Sequence, residues 1–250
     1  MTQSNLGQWA KKLTIEPKVN DPKPIVILDQ APSQPYRYLA ILDFEATCDE
    51  DRKFGPSEII EFPIVLVDTQ SLKIVKIFHA YIIPTINPIL TPFCTQLTGI
   101  TQEMVSSKAG AKSFDEVWTQ VLQFLKDNQL TASDQVPYDQ NPFCFVTCGD
   151  WDLKTMLPTQ FNGLGWDKTK IPAPFRKWIN IKALFNSFYK TNKKTSIRGM
   201  TDMLTRLGLP LEGRHHSGID DSRNISAIAI KMLKDGCVFR ANNPQSKAQS

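Results

Sequence analysis

The chain has 250 residues, 41% of them hydrophobic and 22% charged, which excludes a disordered or fibrous protein and predicts one large soluble domain. Its 29 basic and 25 acidic residues give a formal charge of +4, which suits an anionic partner without proving one. Five cysteines without a compact framework favour a reduced intracellular setting, cytoplasmic or nuclear, and the absence of a signal-like start or bilayer-length apolar run predicts no membrane association.

The first 35 residues are predicted to form an extended arm. Five prolines are dispersed there among polar residues and interrupt any helical pattern, and one short strand is expected at Ile25–Leu28. The arm is a candidate docking segment for a protein partner. Residues 36–240 are predicted to form the main domain, and residues 241–250 a polar tail.

Three strands are predicted at the start of the main domain, at Tyr38–Glu45, Glu58–Asp68 and Leu72–Ile83. Their short connections favour an antiparallel meander at the beginning of a mixed sheet. Further strands are expected at Phe143–Cys148 and Trp178–Ile181.

Helix-start signals divide the rest of the chain. Thr91 and Pro92 open one helix, and Ser113 with Glu116 forms a capping box that opens a second. A third follows Gly149 and is expected to be limited by Pro158. Three more are predicted at Lys182–Tyr189, Ile197–Leu207 and Ser222–Lys234. The alternation of strands and helices indicates an α/β protein.

Asp43 and Glu45 follow an apolar strand with one residue between them, so both carboxylates are predicted to point to the same side. An unpaired buried carboxylate costs several kcal/mol, and two that lie close together repel each other. A divalent cation with oxygen ligands would relieve that repulsion. An exposed strand end explains the pair equally well if no further ligand joins it.

Further candidate ligands lie where later elements begin. Asp152 is placed where a strand passes into a helix, and Asp221 begins the last helix, five residues after His216. Asp150 and Asp220 are close alternatives, and an acid at a helix N-terminus also has a purely stabilising role.

Four carboxylates and one histidine at a sheet edge suit two-metal phosphodiester hydrolysis. Two ions stabilise the attacking and leaving oxygens of an in-line displacement. A neutral histidine, with a usual pKa of about 6.5, can accept the proton of the attacking water.

The sequence resembles the DEDDh 3′-to-5′ exonucleases and, more narrowly, the ERI-type exoribonucleases. The similarity spans about residues 36–240. It rests on seven segments: Asp43–Cys48, Glu58–Pro63, Leu90–Cys94, Leu97–Ile100, Thr147–Leu153, Lys177–Asn180 and Gly213–Asp221. It implies an RNase H-like exonuclease fold, with a central mixed sheet flanked by helices, over residues 36–240.

The resemblance also implies the site residues. The metal ligands would be Asp43, Glu45, Asp152 and Asp221, holding two Mg²⁺ ions with Mn²⁺ as a substitute. His216 would be the general base, with Glu45 counted among the catalytic residues. His215 departs from the family pattern, because relatives usually carry proline at this position.

Relatives of this type would place the terminal nucleotide against five further positions. These are Phe44, Ala46, Leu97, Thr98 and Trp151. Trp151 has physical appeal as a stacking residue, since an aromatic face accepts any base. Helix packing is the alternative role for Trp151, Leu97 and Thr98.

The resemblance therefore implies a metal-dependent exoribonuclease that trims single-stranded RNA with a free 3′ end and releases nucleoside 5′-monophosphates. A 3′-to-5′ DNA exonuclease uses the same chemistry, and the residues do not show whether a 2′-hydroxyl is contacted. A nucleic-acid-binding scaffold with little turnover is the third hypothesis. All five catalytic positions carry the expected residues, which argues against that last hypothesis.

Overall fold

The computed structural model describes residues 32–51, 55–130, 142–191 and 196–241. The strand expected at Ile25–Leu28 and the tail beyond residue 241 lie outside these ranges.

Within the described residues, six strands form one mixed sheet. They are β1 (Tyr38–Ile41), β2 (Glu45–Ala46), β3 (Ile59–Asp68), β4 (Lys73–Tyr81), β5 (Phe143–Thr147) and β6 (Trp178–Asn180). β3 pairs antiparallel with β1, β2 and β4, which confirms the predicted meander. β5 pairs parallel with β1 and with β6, so the sheet is mixed as expected.

The single strand predicted at Tyr38–Glu45 is divided in two. β1 pairs with the far end of β3 and β2 with its beginning, and the ladder is interrupted between Ile41 and Glu45. The chain leaves the sheet for three residues at this break, and Asp43 is the middle one. Because the strand is interrupted here, Asp43 faces an opening and does not lie within a buried strand.

Helices are distributed between the strands. They are α1 (Pro92–Thr98), α2 (Phe114–Asp127), α3 (Leu157–Gly163), α4 (Ile181–Phe188), α5 (Met200–Leu207) and α6 (Gly218–Lys234). Thr91 caps α1 through its side chain, and Ser113 with Glu116 forms the predicted capping box of α2. α6 begins four residues before the predicted start at Ser222.

The segment after β5 differs from the prediction. Asp152–Met156 forms a π-helical turn that continues directly into α3, and the helix passes through Pro158 to Gly163 instead of ending there. Pro158 lies in the first turn of α3, where a missing N–H is tolerated. Such wide turns are often found at functional sites.

Helices cover both faces of the sheet. Alternating strand residues supply the two cores, so that Ala40 and Leu42 pack with α2 and α3, whereas Leu39 and Ile41 pack with α4, α5 and α6. An aromatic cluster fills the α2 side, with Trp118 in contact with Phe62, Phe161 and Phe175 among others.

β4 forms an edge of the sheet and is largely exposed. Ile74, Val75 and Ile77 are each about 40% exposed, with Lys73 and Lys76 interspersed among them. Charged residues on an edge strand oppose pairing with another chain. Among the helices in the described ranges, none combines the length and apolar character needed to cross a bilayer.

Candidate active site

Two parallel neighbouring strands bring the first acids together. Ile41 of β1 lies opposite Val146 of β5, so the carboxyl ends of both strands meet at one edge of the sheet. Asp43 follows β1, and Asp152 begins the π-helical turn after β5. The Phe44 N–H donates to Asp152 Oδ1 at 2.9 Å, which joins the two segments directly.

The start of α6 adds the last acid to this group. Carboxylate oxygens of Asp43, Glu45 and Asp221 all lie within 4.8 Å of one another. Gly218 permits this approach, because a Cβ at that position would lie 2.6 Å from the carbonyl oxygen of Asp43. A side chain at 218 would therefore push the helix, and Asp221 with it, away from the sheet.

A buried carboxylate under the site fixes the same helix. Glu61 is fully buried and accepts from the N–H groups of Gly218 at 2.8 Å and Ile219 at 3.1 Å. His79 Nε2 lies 2.8 Å from Glu61 Oε1 and completes the arrangement. The sequence analysis missed both roles. The available signal was a lone charge within the apolar run of β3.

The pKa values of all four acids are raised, chiefly by burial. Burial is the first cause of the raised pKa of Asp43, followed by the charges of Asp152 and Glu45. Burial and the neighbouring Glu61 raise the pKa of Glu45 to about 9, and burial raises that of Asp152 to about 6. Burial raises the pKa of Asp221, and the hydrogen bond from the His216 N–H partly offsets this rise.

His216 lies in a tight turn ahead of α6. The Ser217 N–H donates to the Arg214 carbonyl, and His216 occupies the third position of this four-residue turn with a φ of +65°. Its own N–H donates to Asp221 Oδ2 at 2.9 Å. Burial, followed by the charge of His215, lowers the pKa of His216, so its imidazole is neutral near pH 7.

His215 occupies the second position of the same turn. Proline is favoured there when the third residue has positive φ, which agrees with the proline that the family resemblance implies at this position. Here the imidazole stacks on His216 with ring centres 4.0 Å apart. Its Nδ1 lies 3.1 Å from Asp221 Oδ2. The sequence analysis treated His215 as a departure and did not anticipate this contact with a predicted ligand.

Three of the acids, Asp43, Glu45 and Asp152, line a cleft of about 330 Å³ together with His216. Asp221 lies next to Asp43 and Glu45. Four of the predicted nucleotide contacts line the cleft, namely Phe44, Ala46, Leu97 and Trp151. Trp151 is 47% exposed, which leaves much of its indole available for stacking. Cys48, Ser57 and Cys148 also line the cleft and were not predicted.

Thr98 does not follow the prediction of a nucleotide contact. Its side chain is buried, and its hydroxyl donates to the Cys94 carbonyl at 2.9 Å and accepts from the Ile100 N–H at 3.0 Å. Those bonds close the end of α1. The helix-packing alternative therefore describes Thr98, because its polar atom is already used within the α1 segment.

The two alternative acids lie in supporting positions. Asp150 Oδ1 accepts from the Trp178 indole at 2.9 Å and from the Asn180 amide at 3.2 Å, which fixes the turn before Trp151. Asp220 accepts from the Arg214 N–H. Both contacts favour Asp152 and Asp221 as the cleft-facing members of each pair.

The donor set fits divalent cations. Three carboxylate oxygens that lie within 4.8 Å of one another are ligands of the kind that hard cations prefer. Burial, followed by repulsion from neighbouring acids, raises the pKa values of Asp43 and Glu45, so their ionised forms have too little positive charge around them. Cations would remove that imbalance.

Comparison with known proteins places the chain in a family. A family model described as an exonuclease, RNase_T, matches residues 40–229. The chain is 40% identical over 211 residues to 3′-5′ exoribonuclease 1 of Rattus norvegicus, covering 83% of this chain and 56% of that protein. It is 41% identical over 210 residues to ERI1 exoribonuclease 3 of Homo sapiens, covering 84% and 57% respectively. The chain belongs to the exonuclease family, among the ERI-type members of the DEDDh class.

The fold agrees with solved members of the family. The nuclease domain of 3′hExo, a DEDDh family member bound to rAMP, superimposes with a TM-score of 0.73 at 38% identity, covering 83% of this chain and 97% of that one. A 3′-exonuclease solved for its recognition of the histone mRNA stem-loop gives 0.71 at 37% identity, covering 84% and 68%. The predicted RNase H-like exonuclease fold is thereby confirmed. The family depends on divalent metal ions, and the chain spans little more than half the length of the curated relatives named above.

Proposed function

We propose that this chain is a metal-dependent 3′-to-5′ exoribonuclease that trims single-stranded RNA and releases nucleoside 5′-monophosphates. The observation that carries the proposal is the convergence of Asp43, Glu45 and Asp221 beside Asp152, in a cleft that His216 and Trp151 also line. Family relatives named as exoribonucleases support the choice of RNA.

Each residue has a role that its position supports. The four carboxylates would hold two Mg²⁺ ions, which stabilise the attacking and leaving oxygens of the displacement when bound. His216, neutral near pH 7, accepts a proton from the water that attacks the terminal phosphorus. The bond to the 3′ oxygen of the preceding nucleotide breaks, and that oxygen takes up a proton. Trp151, Phe44 and Leu97 hold the terminal nucleotide.

The decisive experiment is digestion of 5′-labelled single-stranded RNA and matched DNA with Mg²⁺, with Mn²⁺ and with EDTA. We expect a metal-dependent ladder that shortens from the 3′ end and forms faster on RNA. Asp43→Ala and Asp221→Ala should lose nearly all activity while retaining their circular dichroism spectra, because each removes a cation ligand. Asp115→Ala, which removes an exposed carboxylate from α2, is the matched control.

The same assay separates the alternatives. A ladder on DNA alone would assign the chain to DNA substrates, and turnover in either acid variant would contradict the site assignment. Binding of RNA without any ladder would support the scaffold hypothesis.

We also expect a preference for single-stranded 3′ ends. The cleft of about 330 Å³ is bordered by Trp151 and Leu97, and we expect it to accommodate one unpaired terminal nucleotide. Digestion of a blunt RNA duplex beside the same strand with a 3′ overhang measures this. Equal rates on both would refute the expectation.

A further inference from the structure

The four-residue turn at 214–217, which carries His216, is called the histidine turn below. A basic side chain from this turn closes the end of α1. The Gly99 N–H donates to the Thr95 carbonyl. The carbonyls of Gln96 and Leu97, which come next, therefore have no helical partner. Arg214 Nη2 donates to both of them, to Gln96 O and, at 3.4 Å, to Leu97 O. α1 has no basic residue in its own last turn, so the positive charge that favours a helix C-terminus comes from a segment more than 100 residues away.

Gly99 provides the space in which this side chain lies. A Cβ at position 99 would be 2.7 Å from Arg214 Nε and 2.9 Å from its Cδ, closer than real contacts allow. Gly99 also has a φ of +77°, as expected at a helix C-terminus. The absence of a side chain therefore serves both the backbone and the docking of Arg214.

The main chain of Arg214 also forms hydrogen bonds. Its N–H donates to Asp220 Oδ2 at 3.0 Å, and its carbonyl accepts from Ser217 at the close of the turn that carries His216. One residue thus bonds α1 through its guanidinium and begins the histidine turn through its backbone. Leu97 and His216, which these two attachments hold, both line the cleft.

We propose that Arg214 is a positioning residue that joins the Leu97 side of the cleft to the histidine turn and sets their separation for hydrolysis. The proposal rests on the exonuclease function proposed above. It assigns Arg214 no contact with the reacting atoms. A direct contact between the guanidinium and an RNA phosphate is the competing role, and it is an outcome of the test.

The test is a double-mutant cycle on 5′-labelled single-stranded RNA, with kcat and KM measured separately. Arg214→Ala should lower kcat/KM about tenfold, because charge-assisted bonds between the two segments are lost. Gly99→Ala should cause a similar loss by displacing the guanidinium. The Gly99→Ala/Arg214→Ala double variant should be no worse than either single variant, since both remove one interaction.

Two controls isolate the interaction. Gly110→Ala introduces the same kind of backbone strain, at a φ of +88°, where a Cβ would have no neighbour within 4 Å. It should retain wild-type kcat/KM. Arg214→Lys keeps the charge but loses the planar group that lies over Gly99, so it should stay within about threefold of Arg214→Ala.

Three results would overturn the proposal: wild-type kinetics in Arg214→Ala, additive losses in the double variant, or full rescue by Arg214→Lys. A direct phosphate contact would give a different pair of results. Arg214→Lys would restore activity, and the slope of log KM against log salt concentration would fall by about one in Arg214→Ala. The cycle can be repeated on unfolding free energies, which need no RNA. It therefore tests the docking of Arg214 even if the wild-type protein has no nuclease activity.

Discussion

At the scale of single residues, the acids of the site lower the stability of the folded protein near neutral pH when no cation is bound. Several carboxylates are held close together in a partly buried place, and the pKa values of Asp43, Glu45, Asp152 and Asp221 are all raised. A group whose pKa is higher in the folded than in the unfolded state stabilises the protein while it is protonated. That contribution is complete below the unfolded pKa of about 4 and is lost as pH rises through the folded values.

We therefore predict that the protein in EDTA becomes less stable between pH 5 and pH 8. The window follows from Asp152, with a pKa near 6, and Glu45, with a pKa near 9. A fall in Tm of at least about 3 °C, roughly 1 kcal/mol for a domain of this size, is expected by calorimetry. Asp43→Asn should raise Tm in EDTA at pH 7.5, whereas the exposed control Asp115→Asn should not. A Tm that stays constant across this range in EDTA would contradict the prediction.

At the scale of elements, the N-terminus of α6 decides where Asp221 lies. Glu61 accepts from two of its first N–H groups and from His79, and it is fully buried. Two effects compete when its charge is removed. Repulsion with Glu45 is relieved, but bonds to a charged acceptor are lost, each worth about 1.5–3 kcal/mol.

The lost bonds should prevail, because a glutamine amide would turn an N–H₂ group towards an N–H donor or His79. Glu61→Gln is expected to lower the free energy of unfolding in EDTA by about 2–3 kcal/mol. Urea titration measures it. Glu116→Gln, which weakens an exposed capping box, should cost about 1 kcal/mol or less. Equal losses in the two variants would mean that Glu61 does not fix the helix.

The same elements show how far sequence reasoning extends. Thr91 and Ser113 were predicted as caps because a cap depends on residues three positions away. The Asp43–Glu45 pair was visible because both acids follow one apolar strand. The hydrogen-bond partners of Glu61 and Arg214 could not be predicted, because they lie 157 and 118 positions away in the sequence.

The π-helical turn at Asp152–Met156 shows a different limit. Pro158 was expected to limit this helix, because proline lacks an N–H and disfavours a helical residue before it. The structure widens the turn just ahead of the proline, and the helix continues to Gly163. The predicted end of the helix at Pro158 is therefore wrong, because burial of Leu153, Met156 and Leu157 favours a helix that continues.

At the scale of the whole molecule, the described part of the chain supplies both helical layers and all the site residues. Gln34 was assigned to the predicted arm, but it is bonded to the main domain. Its amide NH₂ donates to the Cys237 carbonyl, and its amide oxygen accepts from the Phe239 N–H. These bonds join the chain before β1 to the segment after α6.

We predict that a chain beginning at Pro32 retains the wild-type Tm and its rate on single-stranded RNA. A chain beginning at Tyr36 should lose about 1–3 kcal/mol, because the Phe239 N–H and the Cys237 carbonyl lose their partner. Thermal unfolding and the 3′-end assay measure both. Lost activity in the Pro32 variant would give the first 31 residues a role in RNA recognition or partner binding.

The distance along the chain between Asp43 and Asp221 has a consequence for synthesis. The first ligand is translated early, but α6 completes both the site and one face of the sheet. At 5–20 residues per second, the ribosome needs roughly 9–36 s to pass from one acid to the other. A nascent chain lacks a complete set of ligands throughout that interval. The nuclease activity proposed above would therefore require the synthesis of α6.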